Sequence, residues 1–284
     1  MPSILKLKSK SKVNIGLRII NKRKDGFHNI HTIFQELDFH DTLTISKSSS
    51  GCSFSSNVDW LDNSSDNLCM KAYELMNEIF DIGGISIALN KVIPPGGGLG
   101  GGSSNAASVI KGINELYDLG VSYKDLERIS SQIGADVPFF IKGGLQLGEG
   151  LGTKLTQIKK KINGFFLLVI PDFQIKTSWA YGESKILLEK PSKAVNFKDL
   201  MEKNRIPFEL FENDFESIIC PSYPEIGVIR DELLANNACY ASLSGSGSTV
   251  FGLFYDEAEA ILAKSEFSSE YHSVITRPKT GFAT

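Results

Sequence analysis

No apolar run in this sequence approaches the roughly 20 residues that a membrane-spanning helix requires. The opening Met1-Pro2-Ser3-Ile4-Leu5-Lys6 lacks the apolar core of a secretion signal. Both absences lead us to expect a cytoplasmic protein. Cysteine is scarce: Cys52, Cys69, Cys220 and Cys239 are the only four, and no two form a C-x-x-C pair. Four cysteines allow a disulfide framework, but 284 residues that are 42% hydrophobic can build a core without one, so they read as reduced thiols. Excess charge of either sign is also missing. A net charge of −3 provides no basic field to draw in nucleic acid or an anionic membrane. His28-x-x-His31 has metal-pair spacing, but no Cys, His or other third ligand completes it, and a metal ligand set stays unknown. There is no internal repeat and no low-complexity tract.

What is present is an ordinary globular composition long enough for about two domains. We expect the boundary between Leu151 and Gly164, giving domains over 1–154 and 155–284. Lys6, Lys8, Lys10 and Lys12 alternate with Leu5, Leu7 and Ser9, the period of a strand with all four lysines on one face. Val13–Ile20 continues it, and Lys24-Asp25-Gly26 is a turn. Thr32–Ser46 reads as one or two strands around His40-Asp41. Helical spacing predicts helices over Asp66–Phe80, ended by Gly83-Gly84, then Ser103–Tyr117, Ser122–Gly134, Thr177–Leu188, Phe208–Ile219, Pro224–Asn236 and Glu257–Ser265. Further strands are expected at Ile85–Ile93, Gly143–Leu147, Phe165–Pro171, Cys239–Ser242, Thr249–Phe254 and Ser273–Arg277. Without regular β-α-β alternation, the fold class is α+β.

The most informative segment is Pro94-Pro95-Gly96-Gly97-Gly98-Leu99-Gly100-Gly101-Gly102-Ser103-Ser104. Glycine loses the most backbone entropy on ordering, so a mere connector has no need of so many. Without Cβ atoms, the backbone can close on a ligand and aim several N–H groups at it. A helix opens directly afterwards, and its N-terminus favours negative charge. Strand, glycine loop and helix start make a phosphate cradle; a flexible linker or close-packed turn is the alternative. It is not a Walker A loop, because Ser103 stands where that motif needs Lys. Gly96-x-Gly98-x-x-Gly101 matches the dinucleotide pattern, but two prolines precede it, and the nearest acidic candidate, Asp118, lies at a helix end. A second small-residue loop, Ser242-Leu243-Ser244-Gly245-Ser246-Gly247-Ser248-Thr249, sits between two apolar strands. It reads either as an ordinary hairpin or as a second arm of the same site.

Phosphoryl transfer to an alcohol needs a proton acceptor and nearby positive charge. Gly134-Ala135-Asp136-Val137-Pro138-Phe139 sets a carboxylate among apolar residues, either as a base or as a structural Asp bonding loop N–H groups. Among the four alternating lysines, composition does not single out Lys12, and a solvated strand face is the ordinary role for each.

In this order, the segments Ser11-Lys12-Val13-Asn14-Ile15-Gly16, Asp25-Gly26-Phe27-His28, Ile93–Ala107, Gly134–Phe139 and Leu243–Gly247 resemble the GHMP kinases. That family includes galactokinase, homoserine kinase and the mevalonate kinases. The Lys-x-Asn and Asp-Gly-aromatic-His elements resemble the branch acting on a cytidine diphosphate-linked methylerythritol. The resemblance spans nearly the whole chain. It implies a two-domain GHMP kinase fold: a ribosomal protein S5 domain 2-like N-terminal domain that binds ATP, and a ferredoxin-like α+β C-terminal domain. It implies ATP and Mg²⁺ as cofactors and phosphorylation of the substrate's 2-hydroxyl in isoprenoid biosynthesis. Asp136 matches the catalytic Asp, which takes or orients the hydroxyl proton. Lys12 matches the catalytic Lys, which neutralises charge and holds Asp and hydroxyl together. Pro94 to Ser104 matches the ATP stretch, with Ser104 a candidate Mg²⁺ ligand, and Asn14 matches a substrate-site Asn. Phe27 and His28 match the cytidine site, where the aromatic stacks on the base and the His hydrogen-bonds it. Thr177 and Tyr181 match a polar contact and a second stacking aromatic. The chain departs from the pattern at Ser11, where Ala is usual, at Phe27, where Tyr is common, and at Pro95. The expected partner is a small molecule, with no nucleic acid and no membrane, and the chain is a monomer or homodimer. Competing readings are a kinase for mevalonate or homoserine and a non-catalytic nucleotide-binding regulator.

Overall fold

The computed structural model describes residues 3–62, 64, 66–184, 196–267 and 270–279. They form two compact units, neither of them a continuous stretch of chain. One comprises residues 1–11, 40–95 and 100–142; the other comprises 12–39, 96–99 and 143–284. Strands β1 (Ile4–Lys22) and β2 (His28–Ser48) pair with one another and contribute to both.

In the first unit, β4 (Gly84–Asn90) lies antiparallel to the end of β2, from Thr42↔Asn90 to Ser48↔Gly84. It lies parallel to β3 (Cys52–Ser56). Alternation turns Leu43, Ile45, Ile85, Ile87 and Leu89 into the core. Two helices, Leu68–Phe80 and Gly101–Leu116, pack against one another. The second is buried along Ala106, Val109, Ile110, Ile113 and Leu116. At Gly112 an added Cβ would lie 3.0 Å from Ile45 and 3.1 Å from Leu7, so the glycine sets how closely helix and sheet approach.

In the second unit, β5 (Leu145–Gly150) pairs antiparallel with the start of β2, and β6 (Lys154–Gln157) pairs with β5. A separate antiparallel sheet has the order β10-β7-β9-β8, from β7 (Phe165–Ile170), β8 (Tyr240–Leu243), β9 (Val250–Phe254) and β10 (His272–Thr276). Helices Pro224–Ala235 and Glu257–Phe267 pack on it through Ile226, Ile229, Leu233, Ala260, Ala263 and Phe267. The mixture of strands and helices is the α+β class expected.

Several local expectations are corrected. Of one or two strands around His40-Asp41 the structure has one, which starts earlier than expected, at His28, and accommodates the buried Asp41 through its hydrogen bonds. The first long helix ends at Phe80 as expected but starts at Leu68, and its cap is Asp81, left-handed at φ 47°, in place of Gly83-Gly84. Its buried face is Cys69, Ala72, Tyr73 and Met76, leaving Ile79 exposed. The glycine-loop helix begins at Gly101 and not Ser103. The helix from Tyr123 closes at Ser130, ahead of Gly134, while its Ser122 cap is as expected. Phe208–Ile219 is a 3-10 turn, Phe208–Leu210, followed by a separate helix, Glu216–Ser222. Between them the backbone pairs with β1, the Leu17 N–H donating to the Glu212 carbonyl at 2.9 Å and the Asp214 N–H to the Leu17 carbonyl at 2.8 Å, and Asn213 Oδ1 accepts from the Phe215 N–H at 3.0 Å, which replaces helical bonding. Strands β3 and β6 and the helix Phe197–Glu202 carry too weak a pattern to be read from sequence. The helix at Thr177 is described as Thr177–Glu183; its expected end at Leu188 lies outside the described residues. All four cysteines are free, and burial raises the thiols of Cys52 to about 11 and Cys69 to about 12.

Candidate active site

The four lysines that composition leaves equivalent differ in burial. Lys6 and Lys8 are exposed, Lys10 is half-buried, and Lys12 is 4% exposed. Lys12 Nζ donates to Asn14 Oδ1 at 2.6 Å, two residues along the same strand face. Asn14 Nδ2 donates to Thr32 Oγ1 at 3.0 Å, and Thr32 Oγ1 donates to the Gly16 carbonyl at 2.6 Å. The Phe34 ring lies 5.6 Å from the ammonium, within cation–π reach. The ammonium is therefore oriented by an amide, which is itself oriented by a hydroxyl.

Two loops of the second unit meet beside it. Gly96 and Gly98 adopt φ values of 73° and 75°. The Thr249 N–H donates to the Gly97 carbonyl at 3.2 Å, Ser244 Oγ to the Gly98 carbonyl at 3.0 Å, and the Lys12 N–H to the Leu99 carbonyl at 3.0 Å. A Cβ on Gly98 would lie 2.1 Å from the Ser244 carbonyl oxygen, so only glycine fits. On the second loop, a Cβ on Gly245 would lie 3.3 Å from Asn14 Oδ1 and 3.6 Å from Lys12 Nζ. The Ser242–Thr249 loop is thus packed against both the glycine segment and Lys12. Asn213 holds it there: its Nδ2 donates to the carbonyls of Leu243 at 2.8 Å and Gly245 at 2.9 Å.

Gly100–Ser104 belongs to the first unit. Gly100, at φ 70°, caps the 16-residue helix Gly101–Leu116 without a side-chain hydrogen bond, and its first turn has no acidic residue. The positive end of the dipole is therefore not neutralised from within its own first turn. Asp136 lies in the same unit, half-buried, in a turn closed by the Val137 N–H to Gly134 carbonyl bond at 3.2 Å. Phe139 and Phe140 anchor the following turn in the core, and Lys111 Nζ donates to the Phe140 carbonyl at 2.8 Å. One helix thus carries the end of the glycine loop and steadies the segment that bears Asp136.

His28 is 8% exposed and stacks on Tyr181, centroids 5.1 Å apart at 20°. Its Nε2 lies 3.4 Å from Ser184 Oγ, and Tyr181 in turn rests edge-on against Phe215. Burial, with the nearby Lys22 charge, pushes the His28 imidazole below its ordinary value, so it is neutral at pH 7. Phe27 exposes 64% of its surface at the turn. Thr177 Oγ1 lies 3.0 Å from Ser246 Oγ and so joins the second loop. His28 and His31, three apart on one strand, face opposite ways: His28 meets Tyr181 and His31 meets Phe197. They are not a metal pair. Among the described residues, no three His, Cys, Asp or Glu side chains gather as a metal site. No helix among them is long and apolar enough to cross a membrane. The structure thus brings Lys12, Asn14, Gly96–Leu99 and Thr177 together in one unit. Thr32, Asn213 and Ser184, which support them, were not legible: single polar residues in ordinary surroundings carry no periodic signal.

Residues 67–144 match the GHMP kinases N terminal domain and residues 192–273 the GHMP kinases C terminal domain. The chain is 37% identical over 278 residues to the 4-diphosphocytidyl-2-C-methyl-D-erythritol kinase of Acetivibrio thermocellus, covering 96% of this chain and 98% of that one. The crystal structure of a 4-(cytidine 5'-diphospho)-2C-methyl-D-erythritol kinase superposes with a TM-score of 0.83 at 28% identity, covering 98% of this chain and 100% of the other. A homoserine kinase from Cytophaga hutchinsonii superposes at 0.68 with 18% identity, over 99% of this chain and 96% of its own; that likeness is one of fold.

Proposed function

The chain belongs to the GHMP kinases and, within them, to the 4-diphosphocytidyl-2-C-methyl-D-erythritol kinases, and from that premise we propose how its residues divide the work of phosphorylating the 2-hydroxyl of that cytidylated polyol with ATP as donor. The observation that carries the assignment is the convergence on Lys12 of Asn14, the glycine segment and the Gly245 loop.

Pro94 to Ser104 binds the donor phosphates. Its support is a glycine segment held by hydrogen bonds to the carbonyls of Gly97, Gly98 and Leu99, with Gly96 and Gly98 left-handed, followed by a helix whose first turn is free of acidic residues. Mg²⁺, when bound, neutralises phosphate charge. Ser104, in the first helical turn, is the residue that would offer it a protein oxygen, with the phosphates supplying the others. Lys12 places positive charge at the transferring phosphoryl group, and Asn14 fixes where that charge sits. Asp136 accepts the hydroxyl proton. Phe27 and Tyr181 are the aromatics that stack on the cytosine, neutral His28, which packs on Tyr181, hydrogen-bonds it, and Thr177 supplies a polar contact. In sequence terms, residues 1–154 are the ATP-binding region and 155–284 the C-terminal region, a division by chain position that differs from the two discontinuous compact units. The protein works in the cytoplasm on a small molecule, as a monomer or homodimer, without nucleic acid.

The test is ADP release by the purified protein with MgATP and 4-diphosphocytidyl-2-C-methyl-D-erythritol, with mevalonate and homoserine in parallel. Turnover with the cytidylated substrate alone is the expected result. Turnover with mevalonate or homoserine instead would keep the loop assignments and overturn those of Phe27, His28 and Tyr181. ATP binding without turnover of any of the three would favour a regulator.

A further inference from the structure

Within the first unit, the Asp41 carboxylate is completely buried and accepts four hydrogen bonds. Its Oδ1 takes the Val92 N–H at 2.6 Å and the Ile93 N–H at 2.8 Å. Its Oδ2 takes Lys91 Nζ at 2.7 Å and Asn105 Nδ2 at 2.9 Å. A carboxylate offers about four lone-pair sites, and here all are used. Three donors come from the strand end that leads into the glycine loop, and the fourth comes from the helix that leaves it. Lys91 Nζ also donates to the Ile93 carbonyl at 2.7 Å, and a Cβ on Gly101 would lie 2.8 Å from that ammonium. A buried cation therefore sits beneath the first turn of a helix, where the dipole is already positive. Asp41 is the counter-charge that makes this arrangement tolerable.

We propose that Asp41 is a positioning residue for the donor nucleotide: by fastening Val92-Ile93 and Asn105 at once, it holds the two ends of the glycine loop at the spacing that binding requires. The inference rests on the assignment of Pro94 to Ser104 as the ATP loop. Ordering so glycine-rich a segment is entropically costly, and a loop pinned at both ends has less freedom to lose when the nucleotide arrives. Cα geometry alone does not require a charged residue at position 41, since a β-branched apolar residue continues a strand as well. The carboxylate is explained by its four donors.

The experiment compares dissociation constants for MgADP and for the cytidylated substrate, by calorimetry, in wild type, Asp41→Asn and the double variant Asp41→Asn/Lys91→Met. The double variant removes the unpaired ammonium that could unfold the single one, since replacing both partners of a buried pair is far milder than removing one. Circular dichroism sets a temperature at which each protein is folded. A folded variant should bind MgADP at least about tenfold more weakly, the scale of one lost charge-assisted hydrogen bond. Its affinity for the cytidylated substrate should stay within about twofold of wild type, a split that general damage to the fold would not produce. Unchanged MgADP affinity, or an equal loss for both ligands, would overturn the proposal. Wild type failing to bind MgADP at all would instead overturn the loop assignment beneath it.

Discussion

The Lys12 ammonium lies 2.6 Å from the amide oxygen of Asn14, and the Asn14 amide nitrogen is held 3.0 Å from Thr32 Oγ1. The charge is thereby aimed by neutral groups, and the Lys12 backbone N–H binds the glycine segment at Leu99. Replacing Lys12 by Met should lower kcat by about 10²–10³, the scale of one lost electrostatic contact to a developing charge. Asn14→Ala keeps the charge but not its aim and should cost about tenfold, the scale of one hydrogen bond to a charged group. Steady-state kinetics with MgATP and the cytidylated substrate read both. A Lys12→Met enzyme as fast as wild type would remove Lys12 from the reaction.

Asp136→Asn should lower kcat by roughly two to four orders of magnitude, the usual range for a general base. The KM for ATP should hardly change, because the substitution keeps size and shape in the turn after Gly134. Loss of ATP affinity with kcat preserved would mark Asp136 as a structural loop residue.

Gly98→Ala meets two obstacles. The left-handed φ of 75° costs about 1–3 kcal/mol for a side chain, and the new Cβ would strike the Ser244 carbonyl at 2.1 Å. The loop must move, so nucleotide affinity should fall sharply. Gly120→Ala, at φ 64° with nothing within 4 Å, carries the strain without the collision and should leave nucleotide affinity as it is. Titration of MgADP into each variant makes the comparison.

His28 and His31 are both held below the ordinary value of 6.5 by burial; Lys22 adds to the effect at His28, while Glu149 opposes it at His31. A depressed histidine binds more protons unfolded than folded, so its contribution to stability is complete above 6.5 and is lost as pH falls through the folded value. Protonation also turns the His28 acceptor nitrogen into a donor. The KM for the cytidylated substrate should be flat above pH 6.5 and rise below it, and His28→Gln should abolish that acid limb. A limb that survives in the variant would assign it to another group.

Asn213 donates to two loop carbonyls, those of Leu243 and Gly245, and is 4% exposed. Asn213→Ala should destabilise the protein by about 1–3 kcal/mol, the cost of leaving buried polar groups unpaired. Asn213→Asp should cost more, since a carboxylate would face two carbonyl oxygens. Urea denaturation at neutral pH orders the three proteins.

Much of this protein is legible in one dimension because its chemistry is concentrated in short contiguous runs. The glycine loop declares itself through backbone entropy, and Gly134–Phe139 through a carboxylate set among apolar neighbours. Alternating lysines declare a strand, and the absence of β-α-β order declares the α+β class. Helix ends were less legible where another residue took the left-handed cap expected of a glycine, as at Asp81, or where the backbone of residues 212–214 paired with β1 instead. What only the tertiary structure decided is which residue of each equivalent set acts. Period 2 makes Lys6, Lys8, Lys10 and Lys12 alike; Lys12 alone is deeply buried because Phe34, Asn14 and the loops at Leu99 and Gly245, most of them distant in sequence, close around it. Asp41 likewise reads as an unremarkable break in an apolar strand until four donors from residues 91–105 fold onto it, because burial and hydrogen-bond satisfaction are properties of neighbours in space and not of neighbours in the chain.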